Sequence, residues 1–309
     1  MHRVVVTEFM DEPALNDFGA GFDVMYAPTL VDDRAAMLAA LSGADGVIVR
    51  NRTQVDTEFL QAAPQLRAVG RLGVGLDNID LDACAARGVA VLPATGANAQ
   101  AVAEYVISAA LALTRTALWS TDAMIAGDWP RGTLGRGGEI AGKTIGLIGL
   151  GNIAQLVAKS ARALGMDVIA HDPHLPASDP AWELARNTSM ADLFAGTDIL
   201  SLHVPLTDET RNLIDAGAME QMRPGAALIN TARGGIVDER ALSAALVSGK
   251  LGGAALDVFD QEPLSRDTAS HFADVPNLIL TPHIAGVTAE ANTRVSTLTV
   301  ANLRAALTQ

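Results

Sequence analysis

GLIGLGNIAQ, residues 146–155, decides the fold. It holds three glycines and an alanine where the apolar run KTIGLIG (143–149) gives way to the helix-forming run NIAQLVAKSARAL (152–164). A short apolar run of this kind predicts a buried strand, and the spacing of apolar residues after it predicts a helix. Gly149, Gly151 and Ala154 stand at the G-x-G-x-x-G/A spacing. The first position allows the tight turn, the second lets backbone approach a pyrophosphate, and the third lets helix and strand pack closely. An anion would rest on the helix N-terminus, where free N–H groups and the dipole favour negative charge. Alone the pattern is weak, because glycines at such a turn often only make the turn. Asp172 sharpens it, 21 residues beyond Gly151 at the end of DVIAHDP (167–173). A carboxylate there accepts both ribose hydroxyls of the adenosine half. It would repel a 2′-phosphate, and Pro173 and His174 supply no Arg or Lys to relieve that. Strand, glycines, helix and acid in register predict dinucleotide binding, with NAD preferred over NADP.

Outward from this loop the same rhythm runs through the chain. RVVVTE (3–8), DGVIV (45–49), LRAVG (66–70) and VAVL (89–92) read as strands. DDRAAMLAAL (32–41) and DTEFLQAA (56–63) lie between them and read as helices opened by Asp caps. The second half adds strands at DVIAH (167–171), DILSLHV (198–204), AALIN (226–230), GAALDV (253–258) and LILT (278–281). Continuous apolar strands alternating with helices imply parallel sheets covered on both faces. The fold class is therefore α/β, with two doubly wound parallel-sheet domains. Residues 98–126 read as one long apolar helix, too long for an ordinary crossover. A last helical pattern, residues 288–307, fits on either unit.

Composition agrees and narrows the partners. The chain has 309 residues, enough for about two domains, and 49% of them are apolar. A net charge of −13 argues against a nucleic-acid or anionic-membrane partner. Cys84 is the only cysteine, so no internal disulfide is possible and a reducing cytoplasm is the expected compartment. The opening MHRVVVTEFMDEP is not the pattern of a signal peptide. No apolar run approaches the ~18 residues of a membrane span. No metal site is expected.

Three later strand ends carry polar residues that suit chemistry. LINTARGG puts Arg233 past one strand, ALDVFDQEP puts Asp257 and Glu262 past the next, and ILTPHIAG puts His283 past the last. Carboxyl ends of strands in an open parallel sheet converge on the ligand crevice. Each residue alone has a plain structural explanation: a surface Arg, a loop Glu before Pro, a His closing a strand. Together they suit hydride transfer to a 2-keto acid. Arg233 would grip the substrate carboxylate and polarise the ketone. His283 would pass a proton to or from the alkoxide, and Glu262 would orient the imidazole.

At this point the chain resembles the D-isomer-specific 2-hydroxyacid dehydrogenase family over nearly its whole length. The resemblance rests on RLGVGLDNID (71–80), NAQAVAEYVI (98–107), GLGNIA (149–154), LHVPLTDETRNLI (202–214), INTARGGIVDE (229–239), ALDVFDQEP (255–263) and TPHIAG (281–286). It implies a flavodoxin-like substrate domain, residues 1–97 completed by 287–309, and a Rossmann NAD domain, residues 98–286, with a cleft closing over the substrate. It implies a homodimer built on the helix near 100–126. The family's catalytic Arg, Glu and His fall on Arg233, Glu262 and His283, and its carboxamide-binding Asp on Asp257. NAD would also meet Asn152 and Ile153 after the glycines, the backbone of Val204, Pro205, Thr231 and Ala232, and Gly286. The formate-oxidising branch carries Gln where Glu262 stands, which counts against that branch. A non-enzymatic NAD-sensing regulator would keep the glycine loop, but would not need all three catalytic residues.

The first domain gives a substrate clue. VRNRT places Arg50 and Arg52 after a strand, and Arg71 precedes Leu72, Gly73 and Val74. Amides of Gly73 and Val74 could form an anion nest. In the family this loop holds the substrate carboxylate, and the position of Arg50 often faces a second anion. The alternative is that these arginines are surface ion-pair partners. If Arg50 faces substrate, that substrate carries sulfonate or phosphate at C3. TEFMDE (7–12), VRNRT and PATGANAQAVAEYV resemble the (S)-sulfolactate dehydrogenase branch, with 3-phosphoglycerate as rival. Glyoxylate or hydroxypyruvate reduction needs no second anion and stays open.

Overall fold

The structure, a computed structural model, describes residues 1–309. The chain divides into two compact units, Met1–Asn98 with Val287–Gln309, and Ala99–Gly286.

The first unit is built on β1 (His2–Val6), β2 (Phe22–Tyr26), β3 (Gly46–Val49), β4 (Ala68–Arg71) and β5 (Ala90–Pro93). All pair in parallel in the order β2-β1-β3-β4-β5, the flavodoxin-like winding, whose switch point lies between β1 and β3. Helices α1 (Arg34–Ala40), α2 (Thr57–Ala62) and α3 (Leu81–Ala86) open on Asp33, Asp56 and Asp80. Each Asp side chain accepts the amide three residues on, a cap worth about 1 kcal/mol. Val5, Val47, Val49 and Val69 pack with Phe59 and Leu60 on one face. On the other face Val4, Val6 and Ile48 meet Val295, Val300, Leu303 and Leu307 of the C-terminal helix Ala289–Thr308. That helix therefore belongs to the first unit, and it explains why β3 is buried along its whole length. Strand β2 is not anticipated by the sequence. It is an edge strand whose five residues never reach full burial, so it lacks the continuous apolar signature of its neighbours.

The second unit opens with α4 (Ala99–Thr114), α5 (Thr121–Ile125) and α6 (Arg131–Leu134). The single long helix expected over 98–126 is thus corrected. Its buried stripe ends at Leu113, and a tight turn at Thr116–Trp119 separates α4 from α5. No residue from 114 to 139 is buried, and Thr114, Thr116, Ser120 and Thr121 favour caps and turns over helix interiors. The sheet then follows as β6 (Thr144–Ile148), α7 (Asn152–Ala163), β7 (Asp167–His171), β8 (Arg186–Asn187) and α8 (Met190–Gly196). It continues with β9 (Ile199–Leu202), α9 (Ala216–Gln221), β10 (Ala226–Asn230), α10 (Glu239–Val247), β11 (Leu251–Leu256) and β12 (Leu278–Leu280). Seven parallel strands run in the order β12-β11-β10-β9-β6-β7-β8. Numbered from β6, this is the Rossmann order 3-2-1-4-5-6 extended by one strand. Its switch point lies between β6 and β9, so the glycine loop and the segment after β9 share one crevice. No helix is long and apolar enough to cross a membrane.

Candidate active site

Gly149 follows β6 with φ 85°, and a Cβ there would lie 2.6 Å from the His203 carbonyl oxygen. The turn therefore needs glycine twice over, for its backbone conformation and for the close approach of the segment after β9. Val204 and Pro205 follow that carbonyl directly. Gly151 is the N-cap of α7 and supplies no side-chain cap, while Ala154 is fully buried against the sheet. A Cβ on Gly151 would meet no protein atom within 4 Å. The first amides of α7, from Asn152 and Ile153 onward, thus face open space at the positive end of the helix dipole. The Thr231 hydroxyl, just past β10, is buried without a protein partner. Beside the loop, burial pushes the His203 imidazole down to about 4, and Ser201 Oγ lies 2.9 Å from its Nε2. His203 therefore adds no charge near neutral pH. Open amides, a cradle without side chains and an orphaned hydroxyl fit a dinucleotide.

Asp172 has a task the sequence did not reveal. Its Oδ2 accepts the Leu150 amide at 2.9 Å and its Oδ1 the His174 amide at 3.0 Å. The carboxylate thus locks the glycine loop to the end of β7, with lone pairs left for a diol.

Arg233, Glu262 and His283 follow β10, β11 and β12. The buried Asn230 side chain organises the first turn, accepting the Ala232 amide at 3.0 Å and donating to the Arg233 carbonyl at 2.9 Å. A Cβ on Gly234 would fall 1.8 Å from the Phe259 carbonyl oxygen. That contact presses the Arg233 turn against the loop bearing Glu262. Glu262 Oε1 accepts the Phe259 amide at 3.0 Å, and Oε2 lies 2.7 Å from His283 Nδ1. Burial would raise the Glu262 carboxyl. The His283 hydrogen bond and charge, the Phe259 amide and the Arg233 charge outweigh burial and hold it below the usual carboxylate range. His283 itself adopts φ 56°, in the left-handed region a non-glycine residue rarely visits. Its imidazole is 43% exposed, so a solute can reach it.

Asp257 is placed inward, with 1% of its surface exposed. Oδ1 accepts the Ile284 amide at 2.8 Å and the Thr281 hydroxyl at 2.6 Å, and Oδ2 accepts the Ala285 amide at 2.8 Å. Its first role is to hold the 281–285 turn just before Gly286, a role the sequence did not indicate.

In the first unit Arg50 follows β3, at the switch point of that sheet. The buried Glu8 carboxylate accepts the backbone amides of Arg50 at 2.8 Å, Thr53 at 2.9 Å and Arg52 at 3.1 Å. The Arg50 guanidinium donates to the Phe9 carbonyl at 3.3 Å and to Asn292 Oδ1 at 3.1 Å, both neutral. Burial lowers its pKa, and the Glu8 charge opposes that only in part. Arg52 instead pairs with Asp32 at 2.6 Å on the surface. Leu72 is buried and Val74 exposed. The Gly73 amide closes a tight turn onto the Arg71 carbonyl at 2.8 Å.

The family described as D-isomer specific 2-hydroxyacid dehydrogenase, NAD binding domain, matches residues 107–285. The (S)-sulfolactate dehydrogenase of Chromohalobacter salexigens is 54% identical over 308 residues, 99% of each chain. The D-3-phosphoglycerate dehydrogenase of Mycobacterium leprae is 43% identical over 89% of this chain, but that stretch is only 51% of the longer relative. A solved structure from Thermus thermophilus superposes with a TM-score of 0.90 at 34% identity, covering 99% of this chain and 97% of its own.

Proposed function

We propose a substrate for this chain, which belongs to the D-isomer specific 2-hydroxyacid dehydrogenase family: a three-carbon 2-hydroxy acid with an anion on C3, sulfonate before phosphate. The chain is an oxidoreductase that moves a hydride between a nicotinamide dinucleotide and a small 2-hydroxy or 2-keto acid. The observation that carries the C3 anion is Arg50, a half-buried guanidinium bonded only to neutral oxygens. Burying a charge that only the Glu8 carboxylate offsets, and that in part, is costly, and a substrate anion would offset the remainder. The 54% identity to a sulfolactate dehydrogenase favours sulfonate. The test is NAD-linked turnover of 3-sulfolactate, 3-phosphoglycerate, glycerate and lactate. Highest kcat/KM on 3-sulfolactate supports the proposal, and a preference for glycerate or lactate overturns it.

The nicotinamide, when bound, exchanges the hydride with C2. Arg233 grips the C1 carboxylate and polarises the C2 oxygen. His283 removes the hydroxyl proton in oxidation and returns it in reduction. Glu262 holds Nδ1 of the ring, so Nε2 is the atom that faces substrate.

Asp172 supports NAD over NADP, because its carboxylate suits a free ribose diol and repels a 2′-phosphate. Asp172→Ala is expected to weaken NADH binding on the order of tenfold and to narrow the preference for NADH over NADPH. Fluorescence titration with both coenzymes checks this. A wild-type protein that binds NADPH as well as NADH would refute the assignment.

A homodimer is supported by an apolar surface on the second unit. Leu118, Trp119, Ile125 and Trp129 are 69%, 47%, 82% and 74% exposed, more apolar exposure than a lone subunit usually carries in one segment. Ile125→Asp with Trp129→Asp is expected to yield monomers in sedimentation velocity, and a wild type that sediments as a monomer ends this reading. The one cysteine, Cys84, is buried and free, which fits the cytoplasm.

A further inference from the structure

The left-handed turn that carries His283 is tied to α4 by one chain of hydrogen bonds. Tyr105 on α4 places its hydroxyl 2.7 Å from Thr281 Oγ1. Thr281 Oγ1 lies 2.6 Å from Asp257 Oδ1. The same carboxylate receives the amides of Ile284 and Ala285, both at 2.8 Å. The Asp257 carbonyl receives the His283 amide, also at 2.8 Å. The direction of the chain follows from donor chemistry. A carboxylate only accepts, so the Thr281 proton points to Asp257 and the Tyr105 proton points to Thr281.

Around Tyr105 the inward residues of α4 are apolar, Val102, Val106, Ala109 and Ala110 among them. A hydroxyl on that stripe has few partners to choose from, and this one has found the turn of the proposed acid–base residue. Burial pushes the Tyr105 phenol up, the Thr281 bond pulls it down and the Asp257 charge pushes it up again, with a raised result. Tyr105 therefore remains a donor throughout the working range.

We propose that Tyr105, acting through Thr281 and Asp257, is a positioning residue for His283. A left-handed backbone at a non-glycine residue persists only where its surroundings over-determine it. Here the surroundings are the three bonds to the Asp257 carboxylate and the one to its carbonyl. The Tyr105 bond fixes the Thr281 rotamer, which fixes the carboxylate plane that receives Ile284 and Ala285. The proton acceptor is thereby held in register with a substrate hydroxyl. This inference rests on the reading of His283 as the acid–base group.

The experiment is steady-state kinetics of Tyr105→Phe, which keeps the ring and removes only the donor. The expected result is a kcat about tenfold lower, since small misplacements of a reacting group are costly, with the hydroxy-acid KM within about twofold. NADH affinity and Tm should hold, and the pH profile of kcat should shift. Thr281→Val should reproduce the defect and Thr281→Ser, which keeps the hydroxyl, should repair it. Wild-type kcat and pH profile in Tyr105→Phe would overturn the proposal. So would a loss of kcat that tracks a loss of NADH affinity and Tm, or one that Thr281→Ser fails to repair. His283→Ala in the same assay separates the two readings. If it turns over normally, the assignment of His283 fails. If it is slow while Tyr105→Phe is normal, only the positioning role fails.

Discussion

Replacing His283 with alanine is expected to lower kcat by ~10²–10⁴, the usual loss on removing a general acid–base, while NADH titration stays near wild type. The magnitude follows from the ring's setting. Nδ1 faces Glu262 Oε2 at 2.7 Å, the backbone sits at φ 56°, and the imidazole stays open to solute. Glu262, held below the ordinary carboxylate range, is only a weak base near neutral pH. Glu262→Gln should lower kcat, since the imidazole loses the carboxylate that orients its Nδ1. The sign for stability is opposite in sense to a histidine's. A carboxyl depressed in the folded state contributes stability that is full above its unfolded value, and the contribution disappears as pH falls through the lower folded value. Acid titration of Tm should therefore show a loss in wild type that Glu262→Gln lacks. A His283→Ala enzyme with near-normal turnover removes His283 from the mechanism.

What the sequence reveals here is what local pattern controls. The glycine loop, the strands of the second unit and the three polar strand ends follow from residues adjacent in the chain. The Asp-capped helices are equally local, because a cap needs only its own first turn. What escapes is decided across distance. Asp257 reads as a ligand residue at a strand end, yet its oxygens are taken by the Thr281 hydroxyl and by the amides of Ile284 and Ala285, beyond the next strand. Tyr105 is hidden inside an apolar helical stripe, where nothing marks its hydroxyl as special. The Gly73 amide is lost to Arg71 through a turn that composition alone does not announce. Strand β2 and the break after Thr114 share one cause: both depend on what lies beside the segment, a sheet edge in one case and a surface without burial in the other.

Arg50→Ala is expected to cost ~1.5–3 kcal/mol in kcat/KM for a C3 dianion, about 10- to 150-fold, and little for pyruvate or glyoxylate. Glu8 is the acid whose charge acts on Arg50. Its carboxylate accepts the backbone amides of Arg50, Arg52 and Thr53, so it shapes the loop without capping the guanidinium. Arg52, two residues on, shows the contrasting case, paired at 2.6 Å with Asp32 and exposed. Arg50 has instead the Phe9 carbonyl and the Asn292 amide oxygen, which orient the charge and do not cancel it. An arginine held by neutral acceptors keeps its affinity for a planar or tetrahedral oxyanion. Asn292 then sets a second expectation. Asn292→Asp would place a carboxylate on Arg50 and should mimic Arg50→Ala for the dianion, with pyruvate again spared. Sulfonate and phosphate are separated by charge: 3-phosphoglycerate gains a further negative charge as its phosphate ionises near pH ~6, whereas a sulfonate does not titrate in that range. A selectivity for 3-sulfolactate over lactate that is flat from about pH 6 to about 8 is the expected result. Equal losses for dianion and pyruvate in Arg50→Ala would return the enzyme to hydroxy acids with uncharged tails.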